Sequence, residues 1–373
     1  MTASTATAGS LSLSAETLHL AFSDPFRIAR ALDAQDTTNV IVEVRDSDLA
    51  PAPDGAHRVG LGEGCPDAYF GETEATVHAV LPLLLVAAAE GWAAARAAAT
   101  AGDVEGTRLA LDGASDAMDD AIGHNGAAKC AVDTALRDLA ARRLGIPLHV
   151  LEGMPALIPP TDFSVGIDEP EVVAGRAARA AAFPFLKVKV GGPRDLETLE
   201  LVRAVFPGPI RVDANTAWQP EAGARLVPEL IRLGVELIEQ PFPAHRLDQM
   251  GWLQERSELP IVADESAVAI TDLDALVGVV AGVNVKLAKC GGPGPARRML
   301  ERARDLGFRR FIGCMEETRV GIAASAAVAS LAEWVDLDGC LLLADDPFEG
   351  LELGPDHRWV LGGAPGLGVR RKS

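Results

Sequence analysis

The sequence has 373 residues, of which 48% are hydrophobic and 23% charged, and its formal net charge is −19. That length predicts a large domain with a smaller companion, and the composition is typical of a soluble globular protein rather than a disordered or membrane-spanning one. The acidic balance argues against nucleic acid as a partner, because phosphate binding depends on clustered Lys and Arg.

The number of cysteines and the hydropathy of the sequence indicate the cellular compartment of the protein. The five cysteines are odd in number and include no Cys-x-x-Cys pair, which favours reduced thiols in the cytoplasm. No Lys or Arg precedes Arg27, so the charged region that opens a secretory signal is missing, and we expect a frayed N-terminal tail. The most apolar run, residues 79–89, is short of the roughly 20 residues that cross a bilayer. We expect a core helix there and no membrane partner.

The first third of the chain is predicted to be an α+β region. Residues 18–44 alternate apolar and polar positions around a turn-rich middle, which predicts a β-hairpin with a long mobile loop. The glycines of the next segment, GLGEGCPDAYFGET, lack the frame and the Gly-Lys-Ser/Thr of a phosphate-binding loop, so we expect a substrate-covering loop. Ala-rich stretches between Thr73 and Ile122 predict helices.

A repeating pattern follows the helical stretch AAKCAVDTALRDLAARRLG. Short β-type runs recur roughly every 25 residues, each followed by a helical stretch, which is typical of parallel βα units. Eight such runs are TDFSVGI, FLKVKV, IRVDAN, ELIEQ, PIVADES, VNVKLAK, RFIGCM and WVDLDG. Eight strands fit a closed barrel, whose catalytic groups come from the carboxyl ends of the strands. A doubly wound open sheet is the alternative.

Lysines mark the second and sixth of these runs. In FLKVKV the period of two puts Lys187 and Lys189 on the face opposite to the apolar residues, so both point into the barrel. Buried ammonium groups are costly unless paired, which favours function over packing. In VNVKLAK, Lys286 and Lys289 fall on opposite faces. Because the apolar residues share the face of Lys289, we expect that face to pack on helices and Lys286 to point inward.

Three successive runs end in carboxylates, namely Asp213, Glu239 and Asp264. Converging on one rim, they would repel one another strongly without a cation between them. Oxygen-only ligands favour a hard ion, and few carboxylates with room for water and substrate favour Mg²⁺.

Lysines on each side of a metal-bound carboxylate suit removal and return of a proton at the adjacent carbon, with Mg²⁺ stabilising the enediolate. A lysine acting as base must be neutral, so we expect its pKa to fall toward neutrality.

The set Lys187-x-Lys189, Asp213, Glu239, Asp264 and Lys286 resembles the enolase superfamily, in its muconate-lactonising-enzyme subgroup, from PFRIAR and GEGCP to the C-terminus. The resemblance implies an α/β fold, a (β/α)₇β TIM-like barrel with an N-terminal α+β capping domain completed by C-terminal residues. We expect the capping domain in residues 1–125, the barrel in 126–344 and the returning segment in 345–373.

The resemblance also implies roles for these residues. Asp213, Glu239 and Asp264 would be Mg²⁺ ligands. Lys189 and Lys286 would be the catalytic acid/base pair, and Lys187 would assist the substrate carboxylate and lower the pKa of Lys189.

The end of the barrel resembles the dipeptide epimerases. Asp336 and Asp338 match their Asp-x-Asp feature, which binds the α-ammonium group of the substrate, and IGCMEET is similar to their Gly-x-Met-x-Glu-Ser/Thr and carries over Glu317. This implies 1,1-proton transfer at the α-carbon of the C-terminal residue of a dipeptide.

Specificity for the second residue is a separate question. Relatives acting on Ala-Glu hold its side-chain carboxylate with an arginine after PFRIA, where this chain has Ala31-Leu32-Asp33, although Arg30 could substitute. If Arg30 does not, the acidic Asp33, Asp36 and Glu316 would favour an apolar or cationic second residue.

Other functions stay open at this point. N-succinylamino acid racemase, o-succinylbenzoate synthase and muconate cycloisomerase share the scaffold and need no ammonium-binding pair. A Schiff-base aldolase with Lys189 as nucleophile belongs to another class, against which the acidic triad argues. A non-catalytic binding protein would not need the full set of catalytic residues. In each case a small-molecule ligand and a homo-oligomer are expected.

Overall fold

The N-terminal part of the chain forms a four-stranded antiparallel sheet covered by helices. The computed structural model describes residues 3–31, 35–48 and 59–373. Strands pair in chain order as β1 (Ala3–Ala8), β2 (Leu11–Ala21), β3 (Asp36–Asp46) and β4 (Val59–Gly64). The predicted hairpin is confirmed by the pairing of β2 with β3, while residues 32–34 of its predicted mobile loop lie outside the described residues.

Two expectations for this sheet are wrong. The N-terminus is not a frayed tail, because β1 pairs with β2 from Ala3 onwards, and Ser4 Oγ lies 2.8 Å from His78 Nδ1 of the covering helix. The glycine-rich segment begins not as a loop but as β4, which pairs with β3. Only its second half, residues 65–72, is a loop, with one turn of 3₁₀ helix.

Two long helices follow the sheet, as predicted: α1 (Glu74–Thr100), which packs on the sheet, and α2 (Val104–Ala121), which packs on α1. Side chains of Thr73 and Thr76 form a capping box at the start of α1, and Asp103 caps α2. Within the described residues, α1 is long and apolar enough by length and composition to cross a membrane, so the expected limit on its length is wrong. It packs on α2, on α3 (Gly126–Leu144) and on the sheet, and 33% of its most apolar stretch is buried, so it is a covering helix with one buried face.

The rest of the chain forms an eight-stranded parallel barrel. All eight predicted runs are confirmed as strands that pair in chain order. They are β5 (Phe163–Val165), β6 (Leu186–Lys189), β7 (Ile210–Asp213), β8 (Val235–Glu239), β9 (Ile261–Ala263), β10 (Gly282–Lys286), β11 (Arg309–Gly313) and β12 (Trp334–Asp336). A hydrogen bond of 3.1 Å from Asp162 N to Val335 O joins the first and last strands, so an open sheet is excluded.

Helices precede, separate and follow these strands. They are α3 (Gly126–Leu144), α4 (Leu148–Leu151), α5 (Pro170–Arg179), α6 (Asp195–Val205), α7 (Pro220–Arg232), α8 (Leu247–Gln254), α9 (Leu273–Leu276), α10 (Leu287–Cys290), α11 (Pro293–Asp305), α12 (Arg319–Ala326) and α13 (Gly339–Leu342). The strands are buried on both faces, as expected for a parallel sheet that encloses a core and is wrapped by helices.

The C-terminal segment returns to the N-terminal part. Its short strands are β13 (Phe348–Glu349), β14 (Glu352–Leu353), β15 (Trp359–Val360) and β16 (Arg370–Arg371). Arg371 forms an ion pair with Glu16 of β2, and Asp138 of α3 accepts a hydrogen bond of 2.7 Å from Leu367 N.

A buried glutamate of the N-terminal sheet forms hydrogen bonds that join the sheet to the barrel. Glu63 of β4 is buried and accepts hydrogen bonds from the N–H groups of Thr318 and Gly321 at the start of α12. A carboxylate at a helix N-terminus satisfies free N–H groups and complements the helix dipole. This contact fixes the sheet and the loop that follows β4 above the carboxyl ends of the barrel strands.

Candidate active site

Three neighbouring barrel strands bring three carboxylates together. Asp213 ends β7, Glu239 ends β8, and Asp264 directly follows β9. Each is buried, and each offers an oxygen atom that lies within 4.8 Å of the others. The strands are parallel and adjacent, so their carboxyl ends share one rim of the barrel.

The charges of these carboxylates are set by burial and by lysines. Burial raises the pKa of Asp213, but Lys189 and Lys187 outweigh it, so the pKa is lowered. Burial likewise opposes ionisation of Asp264, yet Lys286 and Lys289 hold its pKa well below the usual value. For Glu239, burial and then Asp213 raise the pKa to about 7, against the opposing effect of Lys187.

The carboxylate cluster fits a divalent cation. Glu239 Oε2 is buried and accepts no hydrogen bond from the described residues, although Lys187 Nζ lies 2.9 Å away. The converging donors are all carboxylate oxygens, the ligand type that Mg²⁺ prefers. The residues present therefore suit a hard cation.

The predicted lysines surround this cluster, as strand alternation predicts. Lys189 of β6 and Lys286 of β10 lie on the second and sixth of eight strands, and therefore on opposite sides of the barrel. Lys189 Nζ is 2.7 Å from Asp213 Oδ2, and Lys286 Nζ is 3.0 Å from Asp264 Oδ2. Each terminal ammonium thus reaches the rim from its own side.

The pKa of Lys286 departs from the expectation. Burial lowers it, but Asp264 and then Glu239 outweigh burial, so the pKa is raised. The fall expected for a catalytic lysine is therefore not found at Lys286 among these carboxylates. A divalent cation bound to the carboxylates would oppose their effect.

Lys187 connects the metal-ligand cluster to the end of the barrel. Its Nζ atom lies 2.7 Å from Asp336 Oδ2 and 3.4 Å from Asp213 Oδ2. Burial lowers its pKa, but the carboxylates, Asp336 first, raise it well above the usual value. Lys187 is therefore a fixed cation between the two acidic groups.

Lys289 is placed differently from the prediction. The strand ends at Lys286 and turns into α10, so the alternation of faces stops there. Lys289 Nζ donates to Asp264 Oδ1 at 2.5 Å and to the backbone oxygens of Asp264, Ala267 and Asn284. The expectation that Lys289 lies on a helix-packed face is therefore wrong, and this lysine holds a member of the carboxylate cluster.

Asp336 and Asp338 lie together at the end of β12. Ser164 of β5 bridges them, since its Oγ donates to Asp336 Oδ1 at 3.1 Å and its N–H donates to Asp338 Oδ2 at 2.5 Å. Burial raises the pKa of Asp336, but Lys187 outweighs it and the pKa is lowered. Burial and the neighbouring Asp336 raise the pKa of Asp338.

Sequence reasoning missed two polar residues beside this pair. They are Ser164 itself and Asp162, which is buried, pairs with Arg211 at 3.0 Å, and has its pKa raised by burial and then by Asp336. Both alternate with apolar residues in TDFSVGI. Applying the period of two to that run, as to FLKVKV, would have placed them on the inward face.

Two adjoining cavities, which share part of their lining, occupy the space above the rim. The inner one, about 60 Å³, is lined by Lys189, Lys286, Asn215, Ser164, Asp336 and Asp338. The outer one, about 490 Å³, lies beneath the loop that follows β2. Arg30 lines both cavities.

Glu317 lines neither cavity. It is buried behind the wall, where burial and Glu63 raise its pKa to about 8, and the neighbouring Glu316 faces the cavities instead. The structure therefore does not bring Glu317 together with the other predicted residues.

Arg30 is held by acidic neighbours. Its guanidinium forms ion pairs with Glu265 and, at 3.3 Å, with Asp67, and it lies 4.5 Å from the ring centroid of Tyr69. Burial lowers its pKa, but Glu265 and Asp67 outweigh burial and the pKa is raised. Of the acidic residues predicted to set specificity, Asp33 lies outside the described residues, whereas Asp36 and Glu316 line the outer cavity.

Two family models match the chain and together cover most of it. The mandelate racemase/muconate lactonizing enzyme N-terminal domain matches residues 20–153, and the enolase C-terminal domain-like family matches residues 172–372.

Characterised relatives include epimerases of different specificity. The L-Ala-D/L-Glu epimerase of Bacteroides thetaiotaomicron is 40% identical over 248 residues, a match that spans 66% of this chain and 64% of that protein. The L-Lys-D/L-Arg epimerase of Methylococcus capsulatus is 35% identical over 95% of this chain and 96% of its own length.

A solved structure shows the same fold. The dipeptide epimerase of Enterococcus faecalis V583, complexed with Mg and the dipeptide L-Leu-L-Tyr, superposes with a TM-score of 0.81 at 28% identity, covering 96% of this chain and 98% of that one.

Proposed function

This chain belongs to the mandelate racemase/muconate lactonizing enzyme family of the enolase superfamily, and we propose that within it the chain is a Mg²⁺-dependent dipeptide epimerase, an isomerase. The observation that carries the proposal is the pair Asp336 and Asp338, which lines the same small cavity as Lys189 and Lys286. The L-Ala-D/L-Glu epimerase and L-Lys-D/L-Arg epimerase among the relatives, and the dipeptide epimerase bound to Mg and a dipeptide, support it.

The carboxylate cluster would hold the metal. Asp213, Glu239 and Asp264 are the proposed ligands, because of their mutual distances and because a buried Glu239 oxygen accepts no hydrogen bond from the described residues. When bound, Mg²⁺ supplies electrostatic stabilisation of the negative charge that develops on the substrate carboxylate. Lys187 would support that carboxylate as well, and its ion pairs with Glu239 and Asp336 at the same rim support this role.

The lysines on opposite sides of the barrel would carry the proton. One of them, Lys189 or Lys286, removes the α-proton of the C-terminal residue, and the C–H electron pair moves into the carboxylate to form the enediolate. The other donates a proton to the opposite face of the same carbon. One proton leaves and one returns, so the product is the epimer and no other reactant is consumed.

The remaining site residues would bind the rest of the dipeptide. Asp336 and Asp338 form an anionic end to the inner cavity that suits the α-ammonium group of the first residue. Contact of Arg30 with substrate is supported by its position on both cavities. A substrate-binding role for Glu317 stays a prediction, because its buried position behind the cavity wall does not support contact with the substrate.

We also propose a cytoplasmic, homo-oligomeric protein without nucleic-acid or membrane partners. The net charge of −19 argues against a nucleic-acid partner, and the five free cysteines are typical of the cytoplasm.

Replacing Asp338 separates the epimerase from the other reactions of the family. Asp338→Asn removes a carboxyl group that only an ammonium-bearing substrate needs, so we expect kcat/KM for dipeptide epimerisation to fall by about 30- to 1000-fold, the effect of about 2–4 kcal/mol. Epimerisation is followed by NMR of the two diastereomers, and circular dichroism checks the fold.

The exposed Asp345→Asn is the matched control and should retain full activity. Undiminished epimerisation by Asp338→Asn would contradict the proposal. Faster racemisation of N-succinylamino acids, or cycloisomerisation of muconate, by the unmodified protein would assign it to the alternative reactions.

A further inference from the structure

The outer cavity adjoins the inner cavity that contains Lys189 and Lys286. Its wall shares Arg30, Asp67, Met315 and Glu316 with the inner cavity. At about 490 Å³ it is the larger of the two. A substrate side chain that extends out of the inner cavity past these shared residues therefore enters the outer cavity.

The wall of the outer cavity is acidic. Asp36, Asp67 and Glu316 contribute three carboxylates, against the single guanidinium of Arg30. Glu316 and Asp36 have no ion-pair partner within residues 3–31, 35–48 and 59–373. The cavity therefore presents negative charge toward its contents.

The charge of Arg30 is already engaged. Glu265, a buried residue outside the outer cavity, binds Arg30 Nη1, and Asp67 binds Nη2. Arg30 also stacks on Tyr69. A carboxylate on the substrate would have to compete with Glu265 and Asp67 for this cation and would face Asp36 and Glu316 without compensation.

The geometry of the two cavities decides which substrate side chain enters the outer one. Asp336 and Asp338, the proposed site for the first residue's ammonium, line only the inner cavity. The carbon between Lys189 and Lys286 belongs to the second residue. The side chain of that reacting residue therefore has the direct path across the shared wall.

We propose that the outer cavity selects dipeptides whose C-terminal residue carries a cationic side chain, lysine or arginine, an inference that rests on the proposed epimerase function. Asp36 and Glu316 supply the opposing charges. Apolar wall residues, including Phe22, Tyr69 and Met315, contact the methylene stem, as is usual for long cationic side chains. Charge complementarity in such a pocket acts by favouring one substrate and rejecting the oppositely charged one.

The test compares second residues of the same length and different charge. We expect kcat/KM for L-Ala-L-Lys to exceed that for L-Ala-L-norleucine, which keeps the stem but lacks the ammonium, by at least about tenfold, with L-Ala-L-Glu poorer still. In Asp36→Asn/Glu316→Gln, the ratio of kcat/KM for Ala-Lys to that for Ala-norleucine should fall about tenfold. Glu90→Gln/Asp345→Asn, which removes two exposed carboxylates that line neither cavity, is the charge-matched control and should leave the ratio unchanged.

Each other outcome has a separate meaning. Faster turnover of Ala-Glu or Ala-norleucine than of Ala-Lys overturns the specificity inference and leaves the epimerase function intact. An unchanged ratio in the double variant overturns the assignment to Asp36 and Glu316. Failure of the folded, Mg²⁺-supplied protein to epimerise any of the three dipeptides overturns the proposed function and this inference with it.

Discussion

Glu317 is a buried carboxyl group whose ionisation should weaken the fold. Burial and then Glu63 raise its pKa to about 8 from 4.5, and its Oε2 atom has no hydrogen-bond partner within the described part of the chain. A carboxyl whose folded pKa is raised contributes stability that is fully present below the unfolded pKa. That stability is lost as the pH rises through the folded pKa.

We therefore predict that raising the pH from 4.5 to 8.5 lowers the unfolding free energy of the unmodified protein. The same change of pH should lower the unfolding free energy of Glu317→Gln by less. The difference should be on the order of 3–5 kcal/mol, since each pKa unit corresponds to about 1.4 kcal/mol. Urea denaturation at both ends of this range measures it. Glu90→Gln should keep the original pH dependence, and an equal pH dependence in Glu317→Gln would show that another group is responsible.

The alternation of side chains along a strand predicted the positions of individual site residues, but only within regular strands. The period of two placed Lys187 and Lys189 inward, and the ends of adjacent strands brought the three carboxylates together. The position of Lys289 was not predicted, because β10 ends at Lys286 and a helical turn follows. The alternation of strand faces therefore does not extend to Lys289. The pairing of Arg30 with Glu265 joins residues far apart in the chain, which only the assembled fold reveals.

At the scale of elements, the glycines of β4 have a packing function. Gly60 and Gly62 face α3 so closely that a Cβ atom at either would overlap the carbonyl oxygen of Ala135 or Ala131. The alternating glycines meet alanines spaced by four residues along α3. This close approach of a strand to a helix explains why the first half of the segment is a strand and not a loop, whereas the loop of residues 65–72 lines the outer cavity.

We predict that Gly62→Ala destabilises the protein by about 2–4 kcal/mol, because the methyl group meets backbone atoms that cannot rotate away. Gly113→Ala in α2 is the control: its Cβ atom would meet nothing within 4 Å, so the higher helix propensity of alanine should stabilise by about 0.5–1 kcal/mol. Chemical denaturation measures both. Equal effects of the two substitutions would contradict the proposed packing role of β4.

Elements were predictable where periodicity decides the structure. The eight barrel strands were found because buried parallel strands are short apolar runs separated by helices. Strand β1 was missed because ASTATA carries no apolar periodicity, and its conformation depends on pairing with β2. Strand β4 was missed because glycines usually mark turns, and only its neighbour α3 gives them another role.

For the whole molecule, the two parts are joined by contacts that define the site. Helix α3 packs on the N-terminal sheet through β3 and β4 and also on α10 of the barrel. The division into residues 1–125, 126–344 and 345–373 is therefore kept as our proposal, with α3 shared between both parts. The N-terminal family match, which runs to residue 153, includes α3.

Barrel closure makes the central claim testable, because it places Lys189 and Lys286 on opposite sides of the barrel and so, in the proposed reaction, on opposite faces of the reacting carbon. If each lysine serves one face, Lys189→Ala and Lys286→Ala should both lose epimerisation, by about 10²–10⁴-fold. Each variant should still exchange the α-proton of the one epimer that its remaining lysine faces.

The decisive measurement is NMR of α-proton loss in D₂O with Mg²⁺, for both epimers of the dipeptide that the unmodified protein turns over fastest. We predict that the unmodified protein exchanges both epimers, and that the two variants each exchange only one, of opposite configuration. Exchange of the same epimer by both variants, or epimerisation by either at the original rate, would contradict the assignment of one lysine to each face.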